Sequence, residues 1–348
     1  MPAPTTQHDS PLPLRGSRVL VTGGTGYVGG QLVIPLLRAG AQVRVLARRP
    51  PRTSPGSRVH VVEGDAARAA DVRRAVADVD VAYYLLHSMD DEGDLADRER
   101  AMAEVFADEC AEAGVRQIVY LGGPRAPGEL STHLRSRATV GEILLAAPVP
   151  TVVLQAPVII GAGSASFKMI RYLTYRLPVT VAPSWVRNLV QPIGIEDVLT
   201  YLVAAASLDP PVNRTFDIGG PEVLSYADLA ARFARAAGLS RRMVIPMPFL
   251  RPGPTLAGHA VSLLAPVPPG LAGPLVGSLA HDAVAADHDI RDVLAISRPL
   301  TTLDEALRQA EQSSARDLTV LHSIAWAAGS AARALRAARR GTGRRSAG

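Results

Sequence analysis

The sequence predicts an α/β protein, a doubly wound parallel sheet followed by a smaller C-terminal portion. Three observations carry that expectation. Residues 18–29 run from a β-branched stretch (Val19, Leu20, Val21) through a glycine cluster into Tyr27, Val28, Leu32, Val33, Leu36 and Leu37 at helical spacing. Beyond this turn, short apolar runs alternate with helix-length segments. The chain has 348 residues, 47% of them apolar, and a single cysteine, so it can bury a real core without a disulfide framework.

The first turn is the most informative. Gly24, Gly26 and Gly29 fit the dinucleotide-binding pattern, and Gly23, Gly26 and Gly29 fit its three-residue-spaced variant. The chemistry needs glycine for a tight strand-to-helix turn, for close approach of a pyrophosphate to backbone amides, and for close helix–strand packing. Thr25, Tyr27 and Val28, within the same turn, are expected to bind the cofactor with these glycines. The remaining elements follow in order: strands at 42–47 and 59–62, a helix at 66–77, a strand at 79–86, a long helix from about 95 to 113, a strand at 116–121, a helix at 131–146 and a strand at 151–155. Strands joined by helical crossovers make a parallel sheet covered on both faces, with the ligand beyond the strands' carboxyl ends.

The residues just after each strand therefore matter most. No Asp or Glu occurs between Gly30 and Val62, so the acid that would accept a ribose 2′-hydroxyl is missing. The second strand ends in Arg48 and Arg49, donors suited to a 2′-phosphate, which predicts NADP(H) in preference to NAD(H). Asp65, after the third strand, is placed to accept from the adenine amino group or to cap the next helix. Leu86 and His87, after the fourth, would run beside the nicotinamide ribose.

These motifs carry a resemblance. Thr22 through Gly29, Glu63-Gly64-Asp65, Tyr120-Leu121-Gly122-Gly123, Gln191-Pro192-Ile193 with Glu196-Asp197-Val198, and Phe216 through Pro221 occur in order over about 17–310. Together they resemble the short-chain dehydrogenase/reductase superfamily, in particular its atypical NAD(P)H-binding, NAD-dependent epimerase/dehydratase-like branch related to the NmrA-like group. The resemblance implies a Rossmann domain over 17–160, a C-terminal substrate-capping portion over 161–312 with some segments returning to the sheet, and a nicotinamide cofactor.

One departure is sharp. The superfamily's catalytic Tyr-x-x-x-Lys pair is missing: the only lysine, Lys168, has no tyrosine four residues before it, and Gly122-Gly123-Pro124 replaces the usual Ser or Thr after the fifth strand. His133 and Arg137 stand at the same i, i+4 spacing on the expected helix and are the candidate catalytic residues. Histidine can do acid/base work near neutrality, and arginine can supply the fixed charge of the missing lysine. The expected function is an oxidoreductase or epimerase-type enzyme acting on a hydrophobic carbonyl or hydroxyl substrate. The alternative is a non-catalytic NAD(P)H-binding redox sensor or accessory subunit.

Other features are read as structural. Cys110, with Phe106 and Ala113 at helical spacing, is a packing residue. His281, Asp282, Asp287, His288 and Asp289 lack metal-site spacing. Thr302 through Glu305 is a capping box, and Asp197 is expected to cap the helix 198–206. The loop containing Pro157, Gly161, Gly163, Ser164 and Ser166, with Phe167, Met169, Ile170, Tyr172 and Leu173 and the segment 246–274, is expected to form an apolar wall over the nicotinamide.

The ends differ from the body. Residues 1–16 read as a disordered lead-in without a signal-peptide core. Six arginines without an acid in 329–348 account for the net charge of +5, leaving the remainder near −1 and without a nucleic-acid footprint. No apolar stretch is long enough to span a bilayer, so a cytoplasmic protein is expected. The tail 313–348 reads as basic and amphipathic or disordered, able to touch the inner face of an anionic membrane. No oligomeric state follows from the sequence.

Overall fold

The computed structural model describes residues 13–49, 58–86, 95–124, 131–177, 179–239, 243–247, 273, 276–287 and 289–314. Its elements in the N-terminal half are β1 (Arg18–Thr22), α1 (Tyr27–Arg38), β2 (Gln42–Ala47), β3 (Val59–Glu63), α2 (Ala69–Val76), β4 (Val81–Tyr84), α3 (Leu95–Glu112), β5 (Gln117–Gly122), α4 (Thr132–Ala146) and β6 (Thr151–Gln155). Then come β7 (Ile159–Ile160), α5 (Ala165–Arg176), β8 (Val179–Pro183), β9 (Leu189–Val190), β10 (Ile193–Gly194), α6 (Ile195–Ala206), β11 (Arg214–Asp217), β12 (Leu224–Ser225), α7 (Tyr226–Ala236) and β13 (Met243–Met247). A further helix covers 303–314.

Seven of these strands form one parallel sheet in the order β11-β6-β5-β4-β1-β2-β3. The chain winds from β1 outward to β3, then restarts at β4 on the other side, so the order reverses between β1 and β4. This is the Rossmann arrangement, with its ligand crevice at the reversal. β4 and β5 are buried at every residue, which is why they read as unbroken apolar runs rather than as alternating ones.

Two apolar layers sandwich the sheet. On one face Val19, Val21, Tyr83 and Val119 pack against Leu32 and Leu36 of α1 and Val198, Leu202 and Ala205 of α6. Leu14, before β1, belongs to the same layer, and its amide donates to the Ala39 carbonyl at 3.0 Å. On the other face Leu20, Ala82, Ile118 and Val153 meet Val72 and Val76 of α2, Phe106 and Cys110 of α3, and Val140 and Leu144 of α4. Each fully buried aliphatic side chain here contributes roughly 1.5–3 kcal/mol. Cys110 is buried, and desolvation pushes its thiol pKa well up, as a packing residue requires.

A third cluster forms the C-terminal portion: Phe167 of α5, Leu229 and Phe233 of α7, and Leu303 and Leu307 of the last helix. The Phe167 and Phe233 rings meet edge-on at 5.5 Å. An ion pair from Arg171 Nε to Glu311 at 2.8 Å, joined by Tyr175 Oη at 2.7 Å, fastens the last helix to α5. Phe167 and Met169 are therefore spent on packing and not on an open wall; Ile170, Tyr172 and Leu173 are only half-buried, and 248–272 lies outside the described residues.

Asp197 is not a helix cap. α6 begins at Ile195, with Gly194 as its N-cap, and Asp197 lies inside the first turn, fully buried. Its carboxylate accepts from the Thr301 amide at 2.9 Å and from Arg298 at 2.7 Å, anchoring the segment that leads into the last helix. Of the capping box there, one half forms: Glu305 N donates to Thr302 Oγ1 at 3.4 Å, while the Glu305 carboxylate accepts from Arg308 and Gln309 instead.

Candidate functional site

The glycine turn sits at the reversal point of the sheet. Thr22, the last residue of β1, donates from Oγ1 to the Tyr83 carbonyl at 2.8 Å and accepts from the Leu85 amide at 3.3 Å, so the ends of β1 and β4 are tied together. Gly23 adopts φ +69°, and a β-carbon on it would lie 2.3 Å from the Leu85 carbonyl oxygen. A β-carbon on Gly29 would come within 2.4 Å of the Gly23 oxygen, which explains glycine where α1 crosses the turn. Gly26 is the N-cap of α1, carries no capping side chain, and has its nearest would-be contact at 3.1 Å. The first-turn amides of α1 therefore face outward without an acidic side chain to compete. This backbone cradle fits a dinucleotide pyrophosphate.

The residues beyond β2 and β3 are placed as follows. Arg48 and Arg49 are exposed just beyond β2. Asp65 donates its amide to Asp71 Oδ2 at 2.9 Å, and its Oδ1 accepts from Ala67 N at 3.1 Å. The N-cap of α2 is Arg68, so Asp65 shapes the turn before the helix instead of capping it. The Asp65 amide and the Arg74 guanidinium hold the Asp71 carboxyl below its ordinary pKa of 3.8.

At the nicotinamide end, Leu86 lines a narrow crevice with Tyr84, Glu99, Met102, Tyr120, Arg137 and Val140. Arg137 is half-buried on α4, and its side chain lies over Gly123, just past β5. A β-carbon on Gly123 would sit 3.4 Å from Arg137 Cδ and 3.7 Å from Nη1. Its Nε is buried without a hydrogen-bond partner among the described residues. Burial pulls the guanidinium pKa down, while Tyr120 and Glu99 oppose that shift. Tyr120 Oη donates to the Arg137 carbonyl at 3.0 Å, and burial raises the phenol pKa. Ser136 Oγ donates to the buried carboxylate of Glu99. His87 lies outside the described residues, as does the side chain of His133, whose backbone is in the first turn of α4.

Sequence reasoning missed Glu99, Ser136 and Tyr120 at this crevice. Gly161 and Gly163, expected only as part of a loop in an apolar wall, both make room for Tyr27: β-carbons there would lie 2.2 Å from its Oη and 2.1 Å from its Cδ2. Two resemblance motifs prove structural. Gln191 Nε2 donates to the Gly220 carbonyl at 2.8 Å, its Oε1 accepts from Ala285 N at 3.0 Å, and Asp217 accepts from Ala286 N at 2.8 Å. Asp282 and Asp289 are likewise engaged, with Leu189 N and Arg214, and no metal-ligand cluster occurs among the described residues. No helix among them is long and apolar enough to cross a membrane; the expected basic helix beyond 314 lies outside them.

Comparison with known proteins agrees with this geometry. Residues 23–147 match the family model described as NAD(P)H-binding. The chain is 28% identical over 243 residues to (4-alkanoyl-5-oxo-2,5-dihydrofuran-3-yl)methyl phosphate reductase of Streptomyces griseus, covering 63% of this chain and 74% of that one. A nucleoside-diphosphate-sugar epimerase of Staphylococcus aureus has the same fold, with a TM-score of 0.67 at 13% identity over 84% of this chain and 99% of its own. So does the Citrobacter sp. triphenylmethane reductase complexed with NADP(H), with a TM-score of 0.64 at 18% identity over 84% of this chain and 99% of its own.

Proposed function

We propose that this chain, an atypical short-chain dehydrogenase/reductase-like protein with a Rossmann NAD(P)H-binding domain, is an NADP(H)-preferring oxidoreductase for a small, partly hydrophobic substrate bearing a carbonyl group. The observation that carries this reading is the backbone cradle at Gly23, Gly26 and Gly29, set where the strand order reverses. A reduced nicotinamide held there supplies hydride. The amides of Thr25 through Val28 hold the pyrophosphate, Arg48 and Arg49 pair with the 2′-phosphate, and Asp65 accepts from the adenine amino group. Leu86 and His87 flank the nicotinamide ribose. His133 and Arg137, one turn apart on α4, handle the proton and the charge at the reacting carbon. The 161–312 portion caps the substrate. Reduction is preferred to epimerisation because a relative by sequence is a reductase, whereas the epimerase likeness is one of fold.

The missing Tyr-x-x-x-Lys pair favours a second reading, a cofactor-binding sensor without turnover. Calorimetric titration of the full chain with NADPH and NADH, followed by NADPH oxidation against a panel of aldehydes, ketones and enones, separates the two. Tight NADPH binding without oxidation by any of them would establish the sensor, and absence of binding would remove both.

A further inference from the structure

A cavity of about 60 Å3 opens beside Tyr27, between the β7–α5 loop, the start of α6 and the last helix. That is roughly four times the space one water needs, so it takes a ligand of about four or five non-hydrogen atoms. Its lining includes none of the glycines before Tyr27 and none of the residues around Leu86, so it is separate from the cofactor cradle. The inner wall is apolar, with Ile160, Ala306 and Ala310 buried. The mouth is polar, with Glu196, Gln309 and Ser313 exposed.

The lining selects the charge of a ligand. No Lys, Arg or His lines the cavity among the described residues, so an anion finds no counter-charge. The N-terminus of α6 already carries Glu196 and Asp197 in its first turn. Nearby donors are committed: Thr301 Oγ1 donates to the Asp197 carboxylate at 3.3 Å, and Gln309 Nε2 donates to Glu305 at 2.8 Å. Arg298, the neighbouring cation, is paired with Asp197 at 2.7 Å and meets Glu196 only at its backbone carbonyl. The Glu196 carboxylate therefore stands at the mouth without a partner among the described residues.

We infer that this cavity is a binding site for a small organic cation, an alkylammonium whose nitrogen pairs with Glu196 and whose short chain lies against Ile160, Ala306 and Ala310. The inference goes beyond the oxidoreductase reading, because it concerns a second site. The same geometry couples that site to the cofactor. The Tyr27 ring is hemmed in by the backbone of Gly161 and Gly163, and the cavity is the room left beside it. An occupant removes that room and fixes the residue whose amide, in the first turn of α1, holds the pyrophosphate in the reading above. Order imposed by one ligand need not be imposed again by the other, so each binds more tightly in the presence of its partner.

Ligand-observed NMR on the full chain, with n-butylammonium, n-butanol and butyrate as probes, tests the site. Butylammonium should bind in the millimolar range, and the other two at least about fivefold more weakly. Glu196→Gln should lose that preference, whereas Glu104→Gln, at an exposed position on α3, should keep it. Ser313→Trp should close the mouth and abolish binding. Thermal melts establish that the variants fold. No binding of butylammonium, equal binding of the three probes, or equal loss in Glu196→Gln and Glu104→Gln overturns the site. Calorimetric titration with NADPH tests the coupling: saturating butylammonium should tighten NADPH at least about fivefold in the wild type and not in Glu196→Gln. Unchanged NADPH affinity overturns the coupling. A chain that binds butylammonium but not NADPH overturns the oxidoreductase reading and the coupling, and leaves the site standing.

Discussion

The ring of Tyr27 lies against the backbone of Gly163, so close that a β-carbon there would meet Tyr27 Cδ2 at 2.1 Å. This approach joins the first residue of α1, on the cofactor turn, to the loop that opens α5 in the C-terminal portion. Gly163→Ala should therefore cost about 1–3 kcal/mol through overpacking. Tyr27→Ala removes the obstacle, so the double variant should be less destabilised than the sum of the singles by about 0.5–3 kcal/mol in urea unfolding. Strict additivity would show that the ring and the loop do not meet.

Gly26 and Gly29 should separate binding from folding. Gly26 has extended backbone (φ −79°), and a β-carbon there meets only the Gly23 carbonyl oxygen, at 3.1 Å, so Gly26→Val should lower the melting midpoint less than Gly29→Ala while weakening NADPH at least about tenfold by blocking the pyrophosphate. Gly29→Ala drives a methyl group to 2.4 Å from the Gly23 carbonyl and should lower the midpoint outright. Calorimetric titration and thermal melts, run on both variants, read the two effects independently.

Cofactor choice should rest on the two arginines beyond β2. Changing Arg48 and Arg49 together to Ala should weaken NADPH by roughly 1.5–3 kcal/mol for each desolvated arginine–phosphate pair removed, and NADH far less. Equal weakening of the two cofactors in parallel titrations, or a wild type that prefers NADH, would remove the 2′-phosphate assignment.

Asp71 links the turn at Asp65 to pH. Because its folded pKa lies below the ordinary 3.8, its contribution to stability is fully present above that value and is lost as pH falls through the lower folded value. Asp71→Asn should be less stable than wild type at neutral pH, and the gap should close in acid, at and below the folded pKa. Urea midpoints measured across that range check the sign; a gap that widens in acid would contradict it.

Much of this is legible in the chain. The strands Gln42–Ala47 and Thr151–Gln155 follow the sequence to the residue, because β-branched runs there are bounded by turn formers. α2 is shorter than its periodicity implies, since Asp65 through Arg68 form a turn that delays the helix. The glycine turn is readable because its chemistry is local. The Arg137 crevice is not, because Glu99, Tyr120 and Ser136 meet only when α3 and α4 pack side by side over β5. The Tyr27 clamp is hidden for a different reason: glycine announces either freedom or lack of room, and only the fold tells which.

Leu14, ahead of the first strand, and Ile290 and Leu294, near the end of the described chain, share one apolar layer with Val19 and Leu32. That sharing governs how the molecule must be made. A nascent chain that has delivered the whole Rossmann sheet to solvent still lacks part of its covering, so the exposed apolar face persists until residues near 294 leave the ribosome. Bringing these distant segments into one layer closes a very long loop, a cost set by topology rather than by local propensity. A gene cut between the two halves would produce a sheet with an uncovered flank, prone to association and not a smaller working protein.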